Sequence, residues 1–162
     1  MENFREALKR LEKSKEFKEW QKKHHHAALA HFFTLVTGEN KHSPWDIGFY
    51  HAEEDKLTVF SMKEIIEVRP SLEVFKNEGE VPILDLENVK LTLKDGEQKL
   101  TEYLAEENFG GKILHGMAIL QKLDGRNIWN ISKFSSTLLV FNVKVNAENG
   151  EVISKEKESF MG

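Results

Sequence analysis

The chain has 162 residues, 40% hydrophobic and 31% charged, which suits one ordinary domain or two small ones and excludes a fully disordered polymer. Its formal net charge of −4, with Lys and Glu interspersed, supplies no basic field for nucleic acid. With no cysteine, disulfides and thiolate metal sites are excluded, and no apolar run reaches the length of a bilayer-spanning helix.

The first residues, Met1-Glu2-Asn3-Phe4-Arg5, are charged and lead into no apolar stretch, so a secretory signal is not expected and a cytoplasmic location is. Residues 3–23 read as helical in two registers. Phe4, Ala7, Leu8 and Leu11 make one stripe, and Phe17 and Trp20 make another, rotated from it. Ser14 lies between them and is placed to cap a fresh helix start, with Glu16 in its first turn. The aromatic pair is expected to make the second stripe the better packed.

Residues 27–36 are small and apolar and are read as a strand buried on both faces. After a turn at 37–40, strands are expected at 45–51 and 57–62, joined by the turn Glu53-Glu54-Asp55-Lys56. The first unit, residues 1–62, is therefore α-β-β-β. Residues 63–89 form a connector holding Pro70 and Pro82, too apolar for a free linker. In it Ile65, Ile66 and Val68 are placed to extend the sheet, and Leu72, Val74 and Phe75 to form a short helix.

The second unit, residues 90–162, opens at Thr92-Leu93-Lys94-Asp95, an N-cap followed by a carboxylate at the third helical position. Leu93, Leu100, Tyr103 and Leu104 share a face, and Asn108 with Gly110-Gly111 ends the helix. Gly96 within it costs about 1 kcal/mol relative to Ala. Strands are expected at 113–121, 128–134 and 137–145. Ala147-Glu148-Asn149-Gly150 turns the chain into a returning strand at 151–155.

The two units echo each other at an offset of 84 residues. His31 and Trp45-Asp46-Ile47 fall on His115 and Trp129-Asn130-Ile131, and Leu57, Val59 and Ser61 on Phe141, Val143 and Val145. Consecutive hairpin-linked strands with a helix in each unit make the fold class α+β, helices packed on antiparallel sheet.

The helix 94–107, the strand 113–121 and above all Phe141-Asn142-Val143-Lys144-Val145-Asn146-Ala147-Glu148-Asn149-Gly150-Glu151-Val152-Ile153-Ser154 resemble the PepSY domain of peptidase propeptides. The likeness covers roughly residues 87–158. The whole chain, including Trp45-Asp46-Ile47-Gly48-Phe49-Tyr50, is also similar to small two-part archaeal proteins with this ending and no assigned activity. The resemblance implies tandem cystatin-like units and a non-catalytic role, in peptidase inhibition or binding. It brings no catalytic motif, and neither a signal nor an attached peptidase is expected here.

Four residues are candidates for binding: His31 and His115, equivalent in the repeat, and Trp45 and Trp129, which open matching strands. Against a role for them stand satisfied near-core histidines and core aromatics. Asp46 and Asn130, a carboxylate in one copy and an amide in the other, argue against paired acid/base work. His24-His25-His26 with His31 is the obvious metal candidate, but adjacent histidines cannot all face one ion and no carboxylate partner is evident, so no metal site and no cofactor is expected. No Ser-His-Asp set, HExxH, P-loop or GxGxxG is present. The expectation is a non-enzymatic module that binds a protein or peptide or dimerises through a sheet edge, without nucleic-acid or membrane partners. The alternative is a small-molecule carrier or enzyme with a pocket between helix and sheet near His31 or His115.

Overall fold

A computed structural model describes residues 2–37, 41–73 and 83–160, residues 70–73 by their backbone alone. The chain divides into two units, residues 1–32 with 44–84 and residues 33–43 with 85–162.

In the first unit Asn3 starts helix α1 (Phe4–Lys13) with a reciprocal capping box. Its side chain accepts from the Glu6 N–H, and the Glu6 carboxylate accepts from the Asn3 N–H. Ser14 breaks the run, as its position between the stripes predicts. It is extended, caps α1 through its N–H to Leu11 O, and caps α2 (Lys15–Lys23) by accepting from the Phe17 N–H. Strands β1 (Ala28–Thr37), β2 (Asp46–His51), β3 (Lys56–Ser61) and β4 (Glu67–Glu73) follow, in the spatial order β4-β3-β2-β1. The β2–β3 and β3–β4 pairs are antiparallel, with Ile47 opposite Phe60 and Phe60 opposite Val68. β1 is divided between the units after Phe32.

The second unit carries a short 3₁₀ turn (Leu86–Asn88), helix α3 (Leu93–Glu106) and strands β5 (Ile113–Leu123), β6 (Arg126–Ser135), β7 (Leu139–Asn146) and β8 (Val152–Ser159). These run antiparallel in the order β5-β6-β7-β8. Thr92 and Asp95 form the capping box of α3. Asn108, at φ 52, closes the helix by a Schellman arrangement, Phe109 N–H to Leu104 O and Asn108 N–H to Ala105 O. The stop is thus Asn108 itself rather than Gly110-Gly111.

Both units use the same fastening. In α1 Phe4, Ala7 and Leu11 are buried, and in α3 Leu93, Gly96 and Leu100 are, at matching distances from the caps. The indole N–H of Trp45 donates to Glu2 O and that of Trp129 to Leu91 O, each at 3.0 Å. Each acceptor is the residue just before the helix cap. The repeated tryptophan therefore ties the helix entry to the sheet, satisfying a carbonyl and burying a large ring in one contact. Gly96 is explained by this packing: a Cβ there would lie 2.6 Å from Ile131 Cδ1, so the missing methyl lets α3 approach β6.

Three expectations are corrected. β1 is buried on one face only: Ala30, Phe32, Thr34 and Val36 are buried while Leu35 is half exposed. The first stripe, not the aromatic second, is the better packed, because α1 buries three residues and α2 only Phe17. The stretch read as connector contains β4, so each unit has four strands after its helical segment. Leu72 lies in β4 instead of a helix, and Val74 and Phe75 lie outside the described residues.

Candidate functional site

The cores of the two units differ in kind. The first is aromatic: Phe4 meets Phe32 at 5.2 Å between ring centroids, and Phe17 meets Phe49 and Phe60 at 5.1 and 5.4 Å. The second is mainly aliphatic, built on Leu100, Leu120, Ile131, Val143 and Val145. Trp45 and Trp129 belong to these cores, at 2% and 0% exposure with their N–H groups committed, so neither offers a face to a ligand.

The equivalent histidines are not equivalent in surroundings. His31 packs its ring directly over Gly48 of β2, where any Cβ would overlap it. Burial pushes its pKa below the ordinary histidine value, opposed by the Asp46 carboxylate. His115 is exposed and stacks on Phe134 at 4.9 Å, beside an irregularity between Ile113 and His115 where β5 slips against β6. Asp46 reaches Arg69 at 3.4 Å, whereas Asn130 accepts from the Asn142 amide at 2.7 Å. The repeat conserves the frame and not the polar chemistry.

The structure instead assembles a group the repeat does not contain. His24, the C-cap residue of α2, meets His51 at the end of β2 and Glu54 in the turn to β3. Their potential ligand atoms lie within 4.8 Å of one another, a separation no other set of His, Cys, Asp and Glu achieves among the described residues. His24 Nε2 is 3.5 Å from Glu54 Oε1, and His51 Nδ1 is 3.7 Å from Glu54 Oε2. Ligand atoms on a tetrahedral ion with bonds of about 2.0–2.1 Å stand about 3.3–3.4 Å apart; each imidazole comes near that distance from its own oxygen of Glu54, and the wider separations, up to 4.8 Å, would have to close by about 1 Å or more around a shared ion.

Orientation is set from behind. His24 Nδ1 donates to Trp20 O at 3.0 Å, since a carbonyl only accepts, and this turns Nε2 toward Glu54. His51 is buried, with Nε2 3.1 Å from the Thr58 hydroxyl and Nδ1 without a hydrogen-bond partner. The Thr58 hydroxyl can donate to Nε2 or accept from it, and Nδ1 is turned into the cluster toward the Glu54 carboxylate. Trp20 stacks on the His24 ring at 4.6 Å and 21°, and the two imidazoles lie 4.8 Å apart. Burial holds the His51 pKa below its ordinary value, with Glu54 opposing and His24 and Lys56 reinforcing the shift, a direction that favours the neutral ring.

Sequence reasoning named His24 but grouped it with His25, His26 and His31; it missed the carboxylate, which comes from the next hairpin. The available signal was His51-Ala52-Glu53-Glu54, a histidine and a carboxylate three residues apart across a tight turn. What it lacked was the information that α2 ends beside that turn.

No protein-family model matches the chain, and no curated protein matches it in sequence. None of the described helices is long and apolar enough to cross a membrane. Among solved structures, the fold is similar to the crystal structure of a chain described as a putative lipoprotein from Clostridium difficile 630. The TM-score is 0.57 and the identity 14%, over 96% of this chain and 93% of that one, a likeness that shows the fold alone.

Proposed function

We propose that the protein is a binding module whose ligand is a divalent transition-metal ion, held in the first unit by His24 Nε2, His51 Nδ1 and Glu54. The observation that carries this reading is the buried His51 Nδ1, left without a hydrogen-bond partner yet pointed at two further donor groups. A buried polar atom without a partner costs about 1–3 kcal/mol, and a metal bond removes that penalty. Two imidazoles and one carboxylate are a donor set suited to zinc and its neighbours rather than to magnesium or calcium, which favour all-oxygen shells. The Trp20 carbonyl and the Thr58 hydroxyl act as the outer groups that orient ligating histidines.

Equilibrium dialysis or calorimetry with zinc and cobalt tests this. One ion per chain should bind, and binding should be lost in Glu54→Gln and His51→Ala but kept when His25 and His26 are both replaced by Ala. Circular dichroism checks that each variant is folded. Binding that follows His25 and His26, or no binding at all, overturns the reading.

A second reading retains a protein or peptide partner and places it on the second unit. There Leu138 and Phe160 are 52% and 65% exposed and are joined by the Phe160 N–H to Leu138 O bond. Leu138 also holds φ 62, uncommon for a non-glycine residue. Strand addition is a poor mode for such a partner. β8, the last strand of the second unit, carries the alternating charges Lys155-Glu156-Lys157-Glu158, and β4, the outer strand of the first, contains Pro70. The PepSY-like, cystatin-type assignment stays a proposal, supported by the order of one helix then four antiparallel strands in the second unit. Pull-down with Leu138→Asp against native chain tests the partner, and equal capture by both removes this reading.

A further inference from the structure

Resting on the metal reading above, we infer that the ion held by His24, His51 and Glu54 keeps one coordination position open and takes there a small anionic donor, of the carboxylate or azide type, in exchange for water. The ligand count comes first. The cluster has three members, and among the described residues no fourth imidazole or carboxylate converges with them. Asp55, the next residue along the turn, is committed to the Tyr50 hydroxyl at 2.6 Å. Three protein ligands with a vacant fourth place is the pattern of zinc sites that bind an outside molecule, whereas structural sites are closed by four.

Exposure gives the direction of that place. The His51 side chain is 4% exposed and that of His24 20%, but that of Glu54 is 51% exposed. The imidazoles therefore form the protein-facing wall, closed over His24 by the stacked Trp20, and the solvent side is the Glu54 side. An incoming ligand meets the ion without displacing core residues.

Charge gives the class. Two neutral imidazoles and one carboxylate leave a divalent ion with one positive charge, and Lys56, directly opposite His51 in the β2–β3 register, adds a further positive charge beside the cluster. A small anion gains charge–charge attraction from both, whereas a neutral donor has only its dipole to offer. The exchange is a plain ligand substitution: a metal–oxygen bond to water breaks, a bond to the anion forms, and no electron or proton changes hands.

The test is visible spectroscopy of the full chain loaded with cobalt in a non-coordinating buffer, titrated with acetate and separately with azide at constant ionic strength. The expected result is a saturable change of the cobalt bands with each anion. In Lys56→Gln, cobalt affinity should be kept and anion affinity weakened about two- to fivefold. Cobalt bands that ignore both anions mean the chain itself fills the fourth position and overturn the inference while leaving the metal reading intact. Anion affinity unchanged in Lys56→Gln overturns the assignment by charge. A chain that shows no cobalt bands removes the metal reading, and this inference with it.

Discussion

Set side by side, the two units show how a duplicated frame separates from its chemistry. Each starts with a capping box, buries three residues of its first helix at the same spacing, and locks the helix entry with a tryptophan bond to the residue before the cap. Beyond that frame they diverge. The first unit adds α2, an aromatic core and the His24–His51–Glu54 cluster. At the positions matching His51 and Glu54, the second unit has Ser135 and Leu138. Its Ser135 hydroxyl meets Thr137 and accepts from the Leu139 N–H, so that end is a turn stabilised by hydrogen bonds. The helix-on-sheet contact tolerates little change because it is close-packed, whereas the hairpin ends are free to vary.

The largest test of the shared frame is the pair Trp45→Ala and Trp129→Ala. Each should destabilise by about 3–5 kcal/mol in urea denaturation followed by circular dichroism. A loss confined to one of them would break the equivalence of the two fastenings. Next comes the asymmetry in chemistry. Zinc at a hundredfold excess over its dissociation constant should stabilise the native chain by about 2.7 kcal/mol and leave Glu54→Gln unmoved. Hydrogen exchange should place the added protection in α2 and the β2–β3 turn.

A reciprocal pair sharpens the helix comparison. Gly96→Ala gains about 1 kcal/mol of helix propensity but drives a methyl into Ile131 at a cost of about 1–3 kcal/mol, for a net loss of up to about 2 kcal/mol. Ala7→Gly should lose about 1 kcal/mol from propensity alone, with its cavity adding to that. A stabilised Gly96→Ala would show that α3 is free to shift away from β6. Below these, Asn3→Ala and Thr92→Ala should each lose about 1 kcal/mol, equally within error.

The smallest effect concerns the divergent histidines. His31 is held below its ordinary pKa by burial, so it is neutral in both folded and unfolded chains above about pH 6.5. As pH falls below that, the unfolded chain takes up the proton first, and stability is lost until the folded pKa is passed. His31→Asn should flatten that slope, measured with a chelator present, though only in part because His51 contributes with the same sign. A slope left intact in His31→Asn would refute the burial assigned to that ring.

Much of this frame was legible. Ser14 between two hydrophobic stripes announced the helix break, Thr92 with Asp95 the cap of α3, and Gly150, at φ 82, the last turn. β4 was harder, because its residues alternate between charge and apolar character on an exposed edge and Pro70 argues against a strand. The cluster was hardest. The repeat drew attention to His31 and His115, which share a register and differ in environment, and away from His24, His51 and Glu54, which share neither helix nor repeat position.

What the sequence determined by itself was local and periodic: caps, turns, alternation, and the recurrence of Trp with its neighbours at 84 residues. Those features rest on bonds and contacts between residues near in the chain, or on a copied pattern. Only the tertiary structure decided that the tryptophans are fasteners and that the end of α2 comes to lie beside the β2–β3 turn. It also decided that one of seven histidines, His51, is buried with a nitrogen left without a hydrogen-bond partner. The reason is physical: whether a polar atom has a partner depends on every element packed around it, and no stretch of chain carries that information alone.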